Sequence, residues 1–194
     1  MKAEVARPQL DPLESRAGMR LVKRETMYRG RVIELVRDTL AIGAATIVRE
    51  TIRHPGSVVI VPVLPDGRIL FIRQYRRAVG KPLVELPAGT LGHGENRLLC
   101  AKRELEEETG WRAARWRKLS DFYPAPGFLS EYMTIFLAQQ LTQSAAHPEP
   151  DEVITPLPMS MEAALRRIRS GSICDAKSII GIWLAKAVLD AGRT

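Results

Sequence analysis

The chain has 194 residues, 45% hydrophobic and 26% charged, with 29 Lys and Arg against 22 Asp and Glu, a formal net charge of +7. That length suits one domain with a small appendage and can bury a core without disulfide staples, and the composition excludes a disordered or fibrous chain. The basic balance suits steering of small anions such as phosphates; because the Lys and Arg are spread out rather than clustered, a nucleic-acid partner is not expected.

In chain order, residues 1–20 are polar and proline-containing, with no apolar stretch that would read as a secretory leader. "TMYRGRVIELVRDTL" alternates apolar and polar residues around Gly30, which predicts strand, tight turn near Arg29-Gly30, strand. "ATIVRETIRH" predicts another strand, and "GSVVIVPVLPDGRILFIRQYR" a hairpin turning at Pro65-Asp66-Gly67. "PLVELPAG" predicts a short strand ended by Pro and Gly. A helix is expected from Asn96 to Thr109, stopped by Gly110. "WRKLSDFY" and "EYMTIFLAQQL" are predicted strands flanking the loop "PAPGFLS", and "HPEPDEV" is an acidic loop. Ser160 is placed to cap a helix over "MEAALRRIRS", and Asp175 to cap a last one over "AKSIIGIWLAKAVLDAG". The stripe Ile179, Ile180, Trp183, Leu184, Ala187 and Val188 is predicted to face the core. Strands interspersed with helices and no regular βαβ alternation predict an α+β fold with a mixed sheet.

No apolar run approaches the ~18–20 residues of a membrane span, so no membrane partner is expected. Cys100 and Cys174 share no redox or zinc spacing, and both are expected to be buried thiols of a reducing, cytoplasmic environment. His54, His93 and His147 are expected on the surface or in turns.

The chemistry concentrates in "GTLGHGENRLLCAKRELEEETGW", residues 89–111. Lys102 and Arg103 each precede a glutamate by four residues, Glu106 and Glu107, and can pair with it along a helix. Glu104 and Glu108 have no such cation. They form a like-charge i,i+4 pair that costs about 0.2–0.5 kcal/mol, near the helix C-terminus where the macrodipole disfavours anions. Glu104, Glu107 and Glu108 share one face. Two readings stand: a solvated acidic face, or oxygen ligands for a hard divalent cation such as Mg²⁺ or Mn²⁺.

This segment resembles the Nudix box, G-x5-E-x7-R-E-U-x-E-E-x-G-U with U apolar, matching at Gly89, Glu95, Arg103, Glu104, Leu105, Glu107, Glu108, Gly110 and Trp111 over 23 residues. The resemblance implies the Nudix fold, a mixed sheet sandwiched between helices (α/β/α). It implies hydrolysis of a nucleoside diphosphate linked to another group, by metal-activated water. Glu104, Glu108, Glu107 and the Ala88 carbonyl are the implied ligands of Mg²⁺, with Mn²⁺ as the alternative. Glu107 and Arg103 are the implied helpers of catalysis, and Glu95 opens the helix.

Outside the box, "YPAPGFLSE" with Pro126 15 residues past its end, "VELPAG" and "FIRQYR" are similar to the ADP-ribose pyrophosphatase subfamily. By that resemblance Arg73 and Arg76 are candidates for the substrate phosphates, since guanidinium binds phosphate bidentately. Glu131, Tyr28, Arg53 and Pro126 are further candidate substrate contacts. The implied catalytic base comes from the loop "HPEPDEVI", with Glu152 and Glu149 as candidates and Asp151 as the outsider. The resemblance also implies a homodimer whose N-terminal strands cross between subunits. We therefore expect an N-terminal antiparallel β extension over 1–54 and a Nudix hydrolase domain over 55–194. The expected reaction is Mg²⁺-dependent cleavage of ADP-ribose to AMP and ribose 5-phosphate. Two alternatives are carried: a pyrophosphatase for another nucleotide sugar such as GDP-mannose or for a dinucleotide, and a non-catalytic regulatory module that binds its nucleotide.

Overall fold

The computed structural model describes residues 18–145 and 153–191. The chain forms two compact units: residues up to 54 with 127–130, and 55–126 with residues from 131 onward.

Among the described residues, the first unit forms a three-stranded antiparallel sheet, β1 (Met19–Arg29), β2 (Glu34–Ile42) and β3 (Ala45–Arg53), in that order. The predicted turn forms after β1, where Gly30 N–H donates to the Ile33 carbonyl at 2.9 Å. A Cβ at Gly30 would lie 2.9 Å from Tyr28 Cε1, so the glycine makes room for the tyrosine ring. Among the described residues of this sheet only Val36 is a fully buried hydrophobic. Cross-strand charges tie the sheet instead: Arg24 donates twice to Asp38, at 2.6 Å each, and Glu34 accepts from Arg29 at 2.6 Å and Arg53 at 3.3 Å. Such exposed pairs contribute only tenths of a kcal/mol each. Residues 127–130 join the unit through Ile52 N–H to the Phe128 carbonyl and Ser130 N–H to the Ile52 carbonyl, at 2.7 and 2.9 Å.

Among the described residues, the second unit contains two sheets and three helices. One sheet has the order β10 (Ile154–Met159), β5 (Ile69–Arg76), β6 (Lys81–Glu85). The other runs β7 (Ala88–Thr90), β4 (Ser57–Pro62), β9 (Met133–Gln143), β8 (Trp111–Phe122), with β4 and β9 parallel and its other pairs antiparallel. The helices are α1 (Arg97–Thr109), α2 (Met161–Arg169) and α3 (Ala176–Ala191). Every residue of β4 is buried, and alternate side chains serve opposite layers. Val58 and Ile60 pack with Cys100, Ala101 and Leu105 of α1. Val59 and Val61 pack with Ala164 and Leu165 of α2 and Ile182 and Ala185 of α3. The mixed sheet is thus covered on both faces, the α/β/α arrangement expected.

Several details depart from the sequence reading. The run 56–76 does not make a hairpin: after one bridge, Val63 to Ile69, the strands part into different sheets. Both edges of β4 are occupied, by β7 and β9, so β5 has no edge there to pair with. Strand β10 was hidden by Pro156 and Pro158, which are tolerated because it is an edge strand. On α3 the fully buried positions are Ser178, Gly181, Ile182 and Ala185, while Trp183 is 50% exposed. The small residues turn inward because the helix lies close to the sheet: a Cβ on Gly181 would come within 2.6 Å of Leu86 Cδ1. Cys100 is buried as expected, but Cys174 is exposed. Among the described residues no helix is long and apolar enough to cross a membrane.

Candidate active site

Helix α1 is delimited as its sequence predicts. The Asn96 side chain accepts from Leu98 N–H at 2.9 Å and Leu99 N–H at 3.3 Å. Gly110, at φ 70°, ends the helix by donating its N–H to the Glu106 carbonyl, in a left-handed conformation open to glycine without strain. The buried face, Cys100, Ala101, Leu105, Glu108 and Thr109, fixes the rotation of the helix. Glu104 and Glu108 are thereby directed at Ala88 and Gly89 in the segment Glu85–Gly89, where the chain passes from β6 to β7.

Glu108 is 3% exposed and accepts from Ala88 N–H at 3.1 Å. The Glu104 carboxyl rests against Gly89, where any Cβ would overlap it. That clash gives the first glycine of the box a physical reason. Arg103 Nη1 lies 2.8 Å from Glu104 and 2.9 Å from Glu107, and its Nε donates to Glu95 at 3.1 Å. Glu95 also accepts from Gly92 N–H at 2.8 Å, closing the loop before the helix. Chiefly because Arg103 donates to it, the Glu95 carboxyl is held below the usual carboxylate range, and the Arg103 guanidinium is correspondingly raised. Burial, reinforced by the Glu104 and Glu95 charges, pushes the Cys100 thiol up to about 12.

This corrects two parts of the charge argument. Glu104 and Glu108 are not left without protein partners: one meets Arg103 and the other a backbone N–H. Glu106 pairs with Arg112 at 2.5 Å and accepts from Ser144 Oγ at 2.8 Å, in place of the predicted Lys102. Among the described residues no three Asp, Glu, His or Cys groups converge as a ready metal cluster. The donor set nevertheless fits a hard cation in kind: carboxylate oxygens set beside the Ala88–Gly89 backbone.

The same backbone lines a cavity of about 290 Å³ whose wall includes Ser57, Arg76, Ala88, Gly89, Glu131 and Lys177. Arg76 reaches it from β5. Arg73, an odd number of residues away on the same strand, is exposed and absent from the lining. Arg76 donates to the buried Glu85 from Nε at 2.9 Å and from Nη2 at 2.7 Å, and Lys177 of α3 ion-pairs with the same carboxylate. Burial alone would raise the Glu85 carboxyl, but Arg76 and Lys177 outweigh it and hold it below the usual range. Burial would likewise lower the Arg76 guanidinium, and Glu85 outweighs that and raises it. Glu131 accepts from Ser57 Oγ at 2.7 Å.

Of the residues picked from the sequence, Ala88, Arg103, Glu104, Glu107 and Glu108 are brought together, and Arg76 and Glu131 line the adjoining cavity. Pro126 is exposed, and Pro124 lines the cavity in its stead. Tyr28 and Arg53 belong to the N-terminal unit, Arg53 paired with Glu34. Glu149, Glu152 and Asp151, together with His147, lie outside the described residues. Sequence reasoning missed Glu85, Lys177, Asp175 and Ser57. A carboxylate ending an otherwise apolar strand, as in "LVELP", was the one available signal for Glu85.

An α/β/α sandwich thus presents a glutamate-rich loop and helix beside a cavity that Arg76 and Lys177 reach, groups of the kind that hydrolysis of a phosphate anhydride calls on. The NUDIX domain model matches residues 53–172, more than half of the sequence, and the chain belongs to the Nudix hydrolase family. It is 35% identical over 164 residues to an ADP-ribose pyrophosphatase of Bacillus subtilis (strain 168), covering 83% of this chain and 89% of that one. It is 38% identical over 173 residues to an ADP-ribose pyrophosphatase of Mycobacterium tuberculosis, covering 86% and 83%. A solved structure described as an ADP compounds hydrolase superposes with a TM-score of 0.80 at 22% identity, covering 90% of this chain and 95% of that one, which shows the shared fold.

Proposed function

We propose that this protein hydrolyses the pyrophosphate bond of ADP-ribose to AMP and ribose 5-phosphate, with Mg²⁺ as its cofactor, in the cytoplasm and as a homodimer joined through its N-terminal strands. One observation carries the reading. Glu108 and Glu104 of the box rest on Ala88 and Gly89, and the same backbone walls a cavity whose lining includes Arg76. The two relatives named above support ADP-ribose as the first choice of substrate.

Glu104, Glu108 and the Ala88 carbonyl would hold the cation, with Glu107 joining once Arg103 turns from it. When bound, a divalent cation offsets the charge of the diphosphate and lowers the pKa of a water. The chain's own residues supply the remainder. Arg76, kept in place by Glu85, binds a phosphate of the substrate. Glu131, oriented by Ser57, accepts from a hydroxyl of the nucleoside or ribose. Arg103 keeps the glutamates from repelling one another while the site is open. A carboxylate from the 149–152 loop, Glu152 or Glu149, takes the water proton.

The test is a panel of ADP-ribose, GDP-mannose and dinucleotides offered to purified protein with and without Mg²⁺. The expected result is Mg²⁺-dependent release of AMP, fastest from ADP-ribose. Faster turnover of GDP-mannose would replace the substrate. Tight nucleotide binding without cleavage would replace the activity with a regulatory role.

A further inference from the structure

Five consecutive residues, Glu85–Gly89, serve three parts of the site. The Glu85 carboxylate holds Arg76, Ala88 N–H holds Glu108, and Gly89 leaves the space that the Glu104 carboxyl fills. The segment sits at the corner where the chain passes from β6 to β7; the Pro87 carbonyl accepts from Ile60 N–H of β4 at 2.8 Å, while Leu86 lies outside both ladders. Leu86 is fully buried, and its N–H needs a partner. That partner is a side chain 92 residues away: Ser178 Oγ, in the first turn of α3, accepts from Leu86 N–H at 2.7 Å.

The hydroxyl is itself held in that role. Ser178 is fully buried, and its Oγ donates to Asp175 Oδ2 at 2.5 Å, which leaves its lone pairs for Leu86. The same Asp175 oxygen accepts from Ser178 N–H at 3.1 Å and Lys177 Nζ at 2.9 Å, and Lys177 ion-pairs with Glu85. One helical turn, Asp175 to Ser178, therefore grips two successive residues of the corner, one by its side chain and one by its backbone. Gly181, one turn on, lets the helix approach closely enough for this contact.

We infer that Ser178 is a positioning residue for the active site: through its bond to Leu86 it holds the Glu85–Gly89 corner on which Glu104, Glu108 and Arg76 depend. The inference rests on the proposed location of the metal and substrate, but its physical content is the rigidity of the corner. A group that orients the surroundings of a metal ligand typically changes metal affinity or activity about 10- to 100-fold when removed, and Ser178 acts in this way from outside the cavity.

The experiment compares full-length wild type, Ser178→Ala and Ile182→Val. The last is a core change on the same helix with no bond to Leu86. Hydrogen exchange at the Leu86 and Ala88 amides is measured without metal or substrate, Mn²⁺ affinity by electron paramagnetic resonance, and kcat and KM on ADP-ribose. Ser178→Ala is expected to speed exchange at both amides, weaken Mn²⁺ binding by about 10-fold or more and lower kcat. Ile182→Val is expected to lower the melting temperature while leaving those two amides and the Mn²⁺ affinity as in wild type. Unchanged exchange at Leu86 and Ala88 in Ser178→Ala, or equal effects from both variants, overturns the role of Ser178. A wild type that cleaves no pyrophosphate overturns the functional reading alone, since the exchange measurement still decides the positioning.

Discussion

Glu85→Gln is the most informative single perturbation of stability, because it removes one charge and little volume. Glu85 is 1% exposed and serves two cations, Arg76 at 2.7 Å and Lys177. Removing one partner of a buried ion pair costs about 3–5 kcal/mol, because the remaining charge is stranded. Two features here move the figure to the lower end. The Arg76 side chain is 36% exposed and can recover water, and Lys177 keeps Asp175 at 2.9 Å. We therefore expect a loss of about 3 kcal/mol, or roughly 6–12 °C in Tm for a protein of this size. The pH dependence has a definite sign. The folded Glu85 carboxyl lies below its unfolded value, so its contribution is present above the ordinary carboxylate pKa of about 4.3 and fades as pH falls through the folded value. The wild-type advantage over Glu85→Gln should then shrink in acid. Thermal melts at neutral and acidic pH measure both effects. A Tm within about 2 °C of wild type at neutral pH would refute the claim that this carboxylate secures the cavity wall.

Other consequences are equally specific. Glu108→Gln should lower kcat by at least ~10² while the circular dichroism spectrum stays that of wild type, since charge stabilisation through a metal amounts to several kcal/mol; near-normal turnover would remove Glu108 from the site. Gly89→Ala forces a methyl group into the Glu104 carboxyl, so pyrophosphatase activity should fall by at least ~10-fold, and an active variant would contradict the packing described. Gly110→Ala places a side chain at φ 70°, which should cost about 1 kcal/mol and a few degrees of Tm without altering KM. Iodoacetamide at pH 8 should label the native chain once, at exposed Cys174, and spare Cys100, whose thiol burial pushes up to about 12. Peptide mass spectrometry reads the site of labelling directly.

The fold was legible wherever local chemistry determines structure. Asn96, Gly110, Ser160 and Asp175 bound helices because caps act within one turn of chain. The spacing of the box was legible for the same reason, since i,i+4 relations place Glu104 and Glu108 on one face. What the sequence hid is non-local. Whether β5 pairs with β4 depends on β7 and β9 having already occupied both edges, which no window around residues 56–76 records. The orientation of α3 followed its small residues, Ser178 and Gly181, whose value lies in a close approach to Leu86 and not in their own hydrophobicity. The pairing of Glu85 with Lys177 joins residues 92 apart, and Lys177 carries no local sign of it. Arg103 was readable as a partner of Glu107, but its hold on Glu104 depends on side-chain conformation, beyond what helical spacing determines.

The central question is whether Glu104 and Glu107 of α1 exchange Arg103 for a divalent ion that Glu108 also holds. Calorimetric titration of Mg²⁺ or Mn²⁺ into the native protein, alongside a Glu104→Gln/Glu108→Gln variant, addresses this most directly. The predicted result is saturable uptake by the native protein, tightened by a nonhydrolysable ADP-ribose analogue and abolished in the variant. Equal uptake by both proteins, or none by either with the analogue present, would contradict it.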